Sequence, residues 1–150
     1  MMKKILIFIF TTIVIFIIDQ YIKEKFVLGY DLKGSCIDFS LHYNKGVAFS
    51  MFAFLGEYLK WIQLALIGAI IIFIFYDKAV YNYPLALGLI LGGAIGNLYD
   101  RFIREGVVDY VAWHCGFDFA VFNFADVMID LGVAIILLFS IIKQKEKNRS

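Results

Sequence analysis

The sequence predicts an all-α integral membrane fold: a bundle of four transmembrane helices, with a small β-sheet and an interfacial segment on the outer, extracytoplasmic face. Three observations predict it. The composition is 62% hydrophobic with one proline in 150 residues and a mean hydropathy of +0.81, well above the roughly 45–50% apolar share of a soluble domain. Four apolar stretches approach the length of about 20 residues that a helix needs to cross a bilayer. Both chain ends carry lysine or arginine beside an apolar stretch. A chain of 150 residues fits one domain, so residues 1–150 are read as a single membrane-embedded unit with spans near 5–22, 59–76, 80–98 and 124–142 and outer connections at 23–58 and 99–123.

The first stretch, Ile5 to Ile18, is interrupted only by Thr11 and Thr12 and follows Lys3 and Lys4. It has the flank and length of a signal peptide, but Asp19-Gln20-Tyr21-Ile22-Lys23 offers no pair of small residues for cleavage. It is therefore read as a retained helix. It reaches spanning length only if Asp19 lies at or just inside the membrane boundary, and an acid at that depth invites a functional reading. The second stretch, Leu59 to Tyr76, holds Gln63 as its one strongly polar residue. The third, Val80 to Leu98, carries Gly88, Gly92 and Gly96 at four-residue intervals, a stripe that lets helices approach closely in lipid. The fourth runs from Phe124 to Ile142 and ends in the charged tail Lys143 to Ser150, which reads as disordered.

Lys3 and Lys4 at one end, with Lys143, Lys145, Lys147 and Arg149 at the other, place both termini in the cytoplasm. Termini on one side require an even number of spans. The turn Asp77 to Asn82 then faces the cytoplasm and the two long connections face outward. In the first, Cys36 to Tyr43 alternates apolar with polar or small residues, the pattern of a half-buried strand. Ile37, Phe39, Leu41 and Tyr43 would face the membrane or the bundle, and Asp38, Ser40 and His42 would face out. His42 thus reads as a solvated residue before it reads as a ligand. Phe49 to Leu55, with three phenylalanines, suits an interfacial anchor. The second connection, Asp100 to Phe122, should add short strands around Val107-Val108 and Tyr110-Val111.

The net charge of +1 comes from balanced acids and bases, which leaves no basic field for nucleic acid. Cys36 and Cys115 lack CxxC or Cys/His metal spacing and read as small apolar residues. No cofactor or metal is called for.

In this topology Asp19, Asn97, Asp100, Arg101, Asn123 and Asp126 all fall at the outer helix ends, and the outer connections bring Asn44 and Asp109 within reach. Charges near hydrocarbon cost several kcal/mol unless paired or solvated, and random placement would not gather them on one side. The cluster has no serine beside a base, no suitable Cys/His pair and no HExxH, so carboxylates remain. Two carboxylates hydrolyse an amide when one, ionised, takes a proton from water and the other, protonated, donates to the carbonyl oxygen. Asp126, at a helix start, has the macrodipole to favour its ionised form. Asp109, between Val107-Val108 and Tyr110-Val111, has desolvation to favour the neutral acid. The base is therefore assigned to Asp126 and the acid to Asp109, though a coupled pair titrates as a unit.

Plainer readings stand beside these. Asn123 and Asp126 suit a helix N-cap and its third-position partner, worth about 1 kcal/mol. Arg101 has the reach to snorkel to the interface or to hold a substrate carbonyl or lipid ester, and Asp100 suits a structural partner of backbone or arginine.

The chain resembles the lipoprotein signal peptidases, or signal peptidase II, in five segments that run in the family's order through most of its length: Asp19 to Lys23, Asn44 to Ser50, Gly92 to Arg101, Gly106 to Tyr110 and Phe122 to Asp126. The resemblance implies an aspartyl endopeptidase of the bacterial cytoplasmic membrane with Asp109 and Asp126 as the catalytic pair. It implies that Asp19, Asn44, Gly93, Asn97, Arg101 and Asn123 line or brace the site. The implied substrate is a prolipoprotein whose cysteine carries diacylglycerol, cut just before that cysteine; membrane lipids are the other partners and a monomer is expected. Ile22 stands where the family usually has threonine or serine, and Tyr110 where phenylalanine is common. Asp130, one turn beyond Asp126, stands where the family often has a small or hydroxyl residue; it is a rival for the acid role, and otherwise pairs with a polar neighbour or stays protonated. A small proton-coupled transporter or channel using the same acids as a relay is the alternative from another class, although it would spread ionisable groups through the midplane.

Overall fold

Among the described residues, hydrophobic stretches separated by two long polar connections fold as four helices and one two-stranded antiparallel sheet. The computed structural model describes residues 1–46, 53–104, 106–117 and 119–147. Its helices are α1 (Met2–Val27), α2 (Tyr58–Tyr76), α3 (Pro84–Ile103) and α4 (Phe124–Lys147), and its strands are β1 (Ile37–Asn44) and β2 (Val107–Trp113). Single 3-10 turns occupy Ala53–Leu55 and Ala79–Tyr81.

Helix α3 is the centre of the bundle. Pro84 opens it, in the first turn where a missing N–H costs nothing. Gly88 and Gly92 face α1, where an added methyl would stand 2.7 Å from Thr11 Cβ and from Ile15 Cβ. The contact order, Gly88 to Thr11, Gly92 to Ile15 and Gly96 to Asp19, makes α1 and α3 parallel. Gly93 meets Ala125 and Gly132 meets Ala86, so α4 runs antiparallel to α3. Phe8, Ile67, Ile74, Leu87, Leu91 and Leu98 form the main apolar cluster, with Val80 at its end.

Helices α1, α2 and α4 are long and apolar enough to cross a membrane. They expose large apolar side chains such as Phe10, Ile13, Ile72, Phe73, Leu137 and Phe139, which only a lipid solvent stabilises. The chain is a multi-pass membrane protein. Helix α3 is not among the three: its last two turns carry Asn97, Asp100 and Arg101.

Several boundaries differ from the sequence reading. The first helix does not stop near residue 22 but continues to Val27, because Lys23 turns back into the bundle rather than out to water. The third begins at Pro84 and runs to Ile103, so Asp100 and Arg101 are helical. The tail from Lys143 is helical through Lys147, a correction to the expected disorder, since α4 continues its own backbone hydrogen bonding; residues 148–150 lie outside the described residues. So does most of Phe49–Leu55, whose described end is the 3-10 turn, with Phe54 exposed.

The strands pair antiparallel, Ile37 with Trp113 and Phe39 with Val111, then His42 with Asp109 and Asn44 with Val107. The register slips by one residue between Phe39 and His42. Such a bulge moves later side chains to the opposite face. The uniform alternation expected for Ile37 to Tyr43 is therefore broken: Phe39 and Leu41 pack around Phe26, Val108 and Tyr110, whereas Tyr43 is exposed and Asn44 joins the face of Asp109. Cys36 and Cys115 form a disulfide across the far end of the sheet, which corrects their reading as separate apolar residues. Pairing Ile37 with Trp113 brings these residues, distant in sequence, side by side.

Candidate active site

Asp109 lies in β2, and its carboxylate accepts hydrogen bonds from Asn44 Nδ2 at 3.0 Å and Asn123 Nδ2 at 2.7 Å. Asp126 lies in the first turn of α4 and accepts from Asn97 Nδ2 at 2.8 Å and from the Asn123 backbone N–H at 3.1 Å. Asn123 thus touches both acids. Its Oδ1 accepts from the Asp126 backbone N–H at 2.9 Å, which closes a reciprocal cap of the kind that starts helices. The plain reading of Asn123 and Asp126 as a cap is realised, and the cap fixes the amide whose other end holds Asp109.

Beneath the acids lies a buried ionic network. Lys23 Nζ is 2.8 Å from Asp19 Oδ2, 2.8 Å from Asp100 Oδ2 and 2.8 Å from Asn97 Oδ1. All three charged side chains are fully buried. Asn97 Oδ1 also accepts from Asn123 at 3.1 Å, so the ammonium and the amide together orient the Asn97 nitrogen toward Asp126. Asp19 accepts from the Ala125 backbone N–H at 3.2 Å and pins the start of α4. Asp100 accepts from the Val108 N–H at 3.1 Å and pairs with Arg104, fixing β2 to α3. Lys23, Gln20 and Arg104 were absent from the sequence-derived set. The Asp19–Lys23 spacing of four residues was the signal available.

The acids open on a cavity of about 450 Å³. Asn44, Asn97, Arg101, Asp109 and Asp126 line it, together with Leu59, Ile62, Gln63 and Leu66 of α2 and Phe119 to Phe122. Arg101 donates through Nε to Gln63 Oε1 at 2.8 Å and through a second nitrogen to the Gly46 carbonyl, so it ties α2 and the end of β1 to α3 rather than snorkelling. Asp19, Gly93 and Asn123 are outside the lining but touch what holds it: Asp19 and Gly93 meet Ala125 at the start of α4, and Asn123 bonds Asp109. At Gly93 a methyl would lie 2.5 Å from the Ala125 carbonyl oxygen, backbone that cannot yield without moving α4. Gly93→Ala should cost about 1–3 kcal/mol, as overpacked cores do, and lower activity in proportion to the displacement of Asp126; thermal unfolding in detergent together with kcat reads both.

Burial pushes the Asp109 carboxyl up to about 6, and the charge of Asp126 adds to this, while the hydrogen bonds from Asn44 and Asn123 oppose it. Burial also raises the Tyr110 hydroxyl, which stays neutral and accepts the Phe124 N–H at 3.0 Å while its ring stacks on Phe26. That hydrogen bond is one a phenylalanine at this position would not make.

A family model described as signal peptidase (SPase) II matches residues 11–142. The chain belongs to the signal peptidase II family. Relatives agree over almost the full length. The lipoprotein signal peptidase of Sulfurovum sp. (strain NBC37-1) is 62% identical over 91% of this chain and 94% of that protein, and that of Sulfurimonas denitrificans is 56% identical over 99% and 96%. A solved structure of a bacterial membrane enzyme superposes with a TM-score of 0.77 at 25% identity, covering 93% of this chain and 90% of that one. As a signal peptidase II the protein is a hydrolase, a membrane protease of lipoprotein processing, which sets the transporter reading aside.

Proposed function

We propose that this chain is an intramembrane aspartyl endopeptidase that removes the signal peptide from diacylglyceryl-modified prolipoproteins, cutting just before the lipidated cysteine. The observation that carries the reading is the joining of Asp109 and Asp126, from separate segments, to one asparagine at the wall of one cavity. Residues 1–150 act as one peptidase domain with four crossings, α3 being sheathed by the three more apolar helices. The site end is the outer end: the basic chain termini lie at the other, and the Cys36–Cys115 bridge belongs in an oxidising compartment. On this reading the protein sits in the bacterial cytoplasmic membrane with both termini cytoplasmic and acts as a monomer among its lipids, which the basic termini and the disulfide support.

In the reaction, Asp126, at the positive end of α4, takes a proton from water as the water oxygen bonds to the scissile carbonyl carbon. Asp109 gives its proton to the carbonyl oxygen. Collapse of the tetrahedral intermediate breaks the C–N bond, a carboxyl proton passes to the leaving amine, and the signal peptide departs as a carboxylate. No cofactor enters the scheme.

Since Asp109 must enter protonated, kcat/KM should fall above about pH 6, approaching tenfold per unit in the free enzyme; an unchanged rate from pH 6 to 8 would contradict the acid role. The reading itself is tested with purified protein and a precursor presented with and without its diacylglyceryl group. Cleavage of the lipidated form alone, before the cysteine, is expected; equal cleavage of both forms, or cleavage elsewhere, counts against it.

A further inference from the structure

Among the described residues, Asp130 is the one acid lining the cavity that the proposed reaction leaves unused. It lies one turn from Asp126 toward the C-terminal end of α4 and lines the same cavity, as do Ile129 of its own helix and Ile62 and Leu66 of α2. Its side chain is exposed, and no hydrogen bond or ion pair to it is found among the described residues. Its polar neighbour within electrostatic reach is Asp126, a like charge and not a donor. A carboxyl within a membrane is costly unless a cavity brings it a donor, and among the described residues the hydrogen bonds of the site network, which satisfy Asp19, Asp100, Asp109 and Asp126, do not extend to it.

We infer that Asp130 is a specificity-determining residue: it accepts a hydrogen bond from a substrate side chain in the signal segment, two to four residues before the cleaved bond. The inference rests on the proposed peptidase reading. The distance follows from the helix. Four residues of α4 advance about 6 Å, which is about two residues of an extended peptide and four of a helical one, counted from a scissile bond held at Asp126. The chemical class follows from the acceptor. A carboxyl or carboxylate rewards a hydroxyl, amide or ammonium donor, and discrimination is strong where an unsatisfied polar group would otherwise face an apolar wall.

The test is a set of lipidated precursor peptides carrying alanine, threonine or asparagine in turn at the second, third and fourth positions before the cysteine, cleaved by the unmodified protein, Asp130→Ala and Asp130→Asn. The expected result is a preference of about tenfold in kcat/KM for a donor over alanine at one of these positions, collapsing to near unity in Asp130→Ala and partly kept in Asp130→Asn. No preference in the unmodified protein, a preference that survives Asp130→Ala, or loss of cleavage of every peptide on Asp130→Asn overturns the inference. Failure of the unmodified protein to cleave any lipidated peptide would instead strike the peptidase reading.

Discussion

Asp109→Asn and Asp126→Asn should each lower kcat/KM for a lipidated precursor by about 10³-fold or more, the scale of losing a positioned acid or base. The double variant should be little worse than either single one, because residues acting as a unit are not additive. The geometry separates chemistry from misfolding. Asp109 accepts from two side-chain amides, Asn44 and Asn123; an asparagine offers one oxygen and turns its own NH₂ toward the other donor. Asp109→Asn therefore trades a buried charge for a donor conflict, and its unfolding midpoint should move little while its activity disappears. Activity within tenfold of the unmodified protein in either single variant would remove that residue from the pair.

Lys23→Met is expected to have the largest effect on stability. The ammonium is fully buried between Asp19 and Asp100, at 2.8 Å from each. Removing one member of such a set strands the others, at about 3–5 kcal/mol. The same change releases Asn97 Oδ1, so the Asn97 nitrogen loses its fixed aim at Asp126 and kcat should fall beyond what unfolding explains. Adding Asp100→Asn to Lys23→Met should recover part of the lost stability, since it discharges one stranded acid. Thermal unfolding in detergent measures all three proteins, and a loss below about 1 kcal/mol in Lys23→Met would mean that the network is not what fixes α1 to α3.

Apolar run length sufficed to locate the four helices of the described residues, and the motif residues from Asp19 to Asp126 drew attention to the two acids that Asn123 joins, because both signals are local. What the sequence hid depended on tertiary partners. Lys23 looked like the polar end of α1, since a lysine beside an apolar run ordinarily seeks water; Asp100 and Asn97, brought in by α3, join Asp19 in giving it reason to stay inside. The β-bulge depends on how β1 meets β2, and without it Asn44 would turn from Asp109. The disulfide likewise joins residues 79 apart that only strand pairing brings together. Asp130 was visible as an oddity, but whether it had a neighbour depended on α2.

Isotope-edited infrared titration of the Asp109 carboxyl is the most direct test of shared work between the two acids. With Asp126 intact, the protonated C=O band should persist to a midpoint near pH 6, and in Asp126→Asn that midpoint should drop as the neighbouring charge is lost. An Asp109 that ionises near pH 4 in both proteins, indifferent to Asp126, would contradict the account.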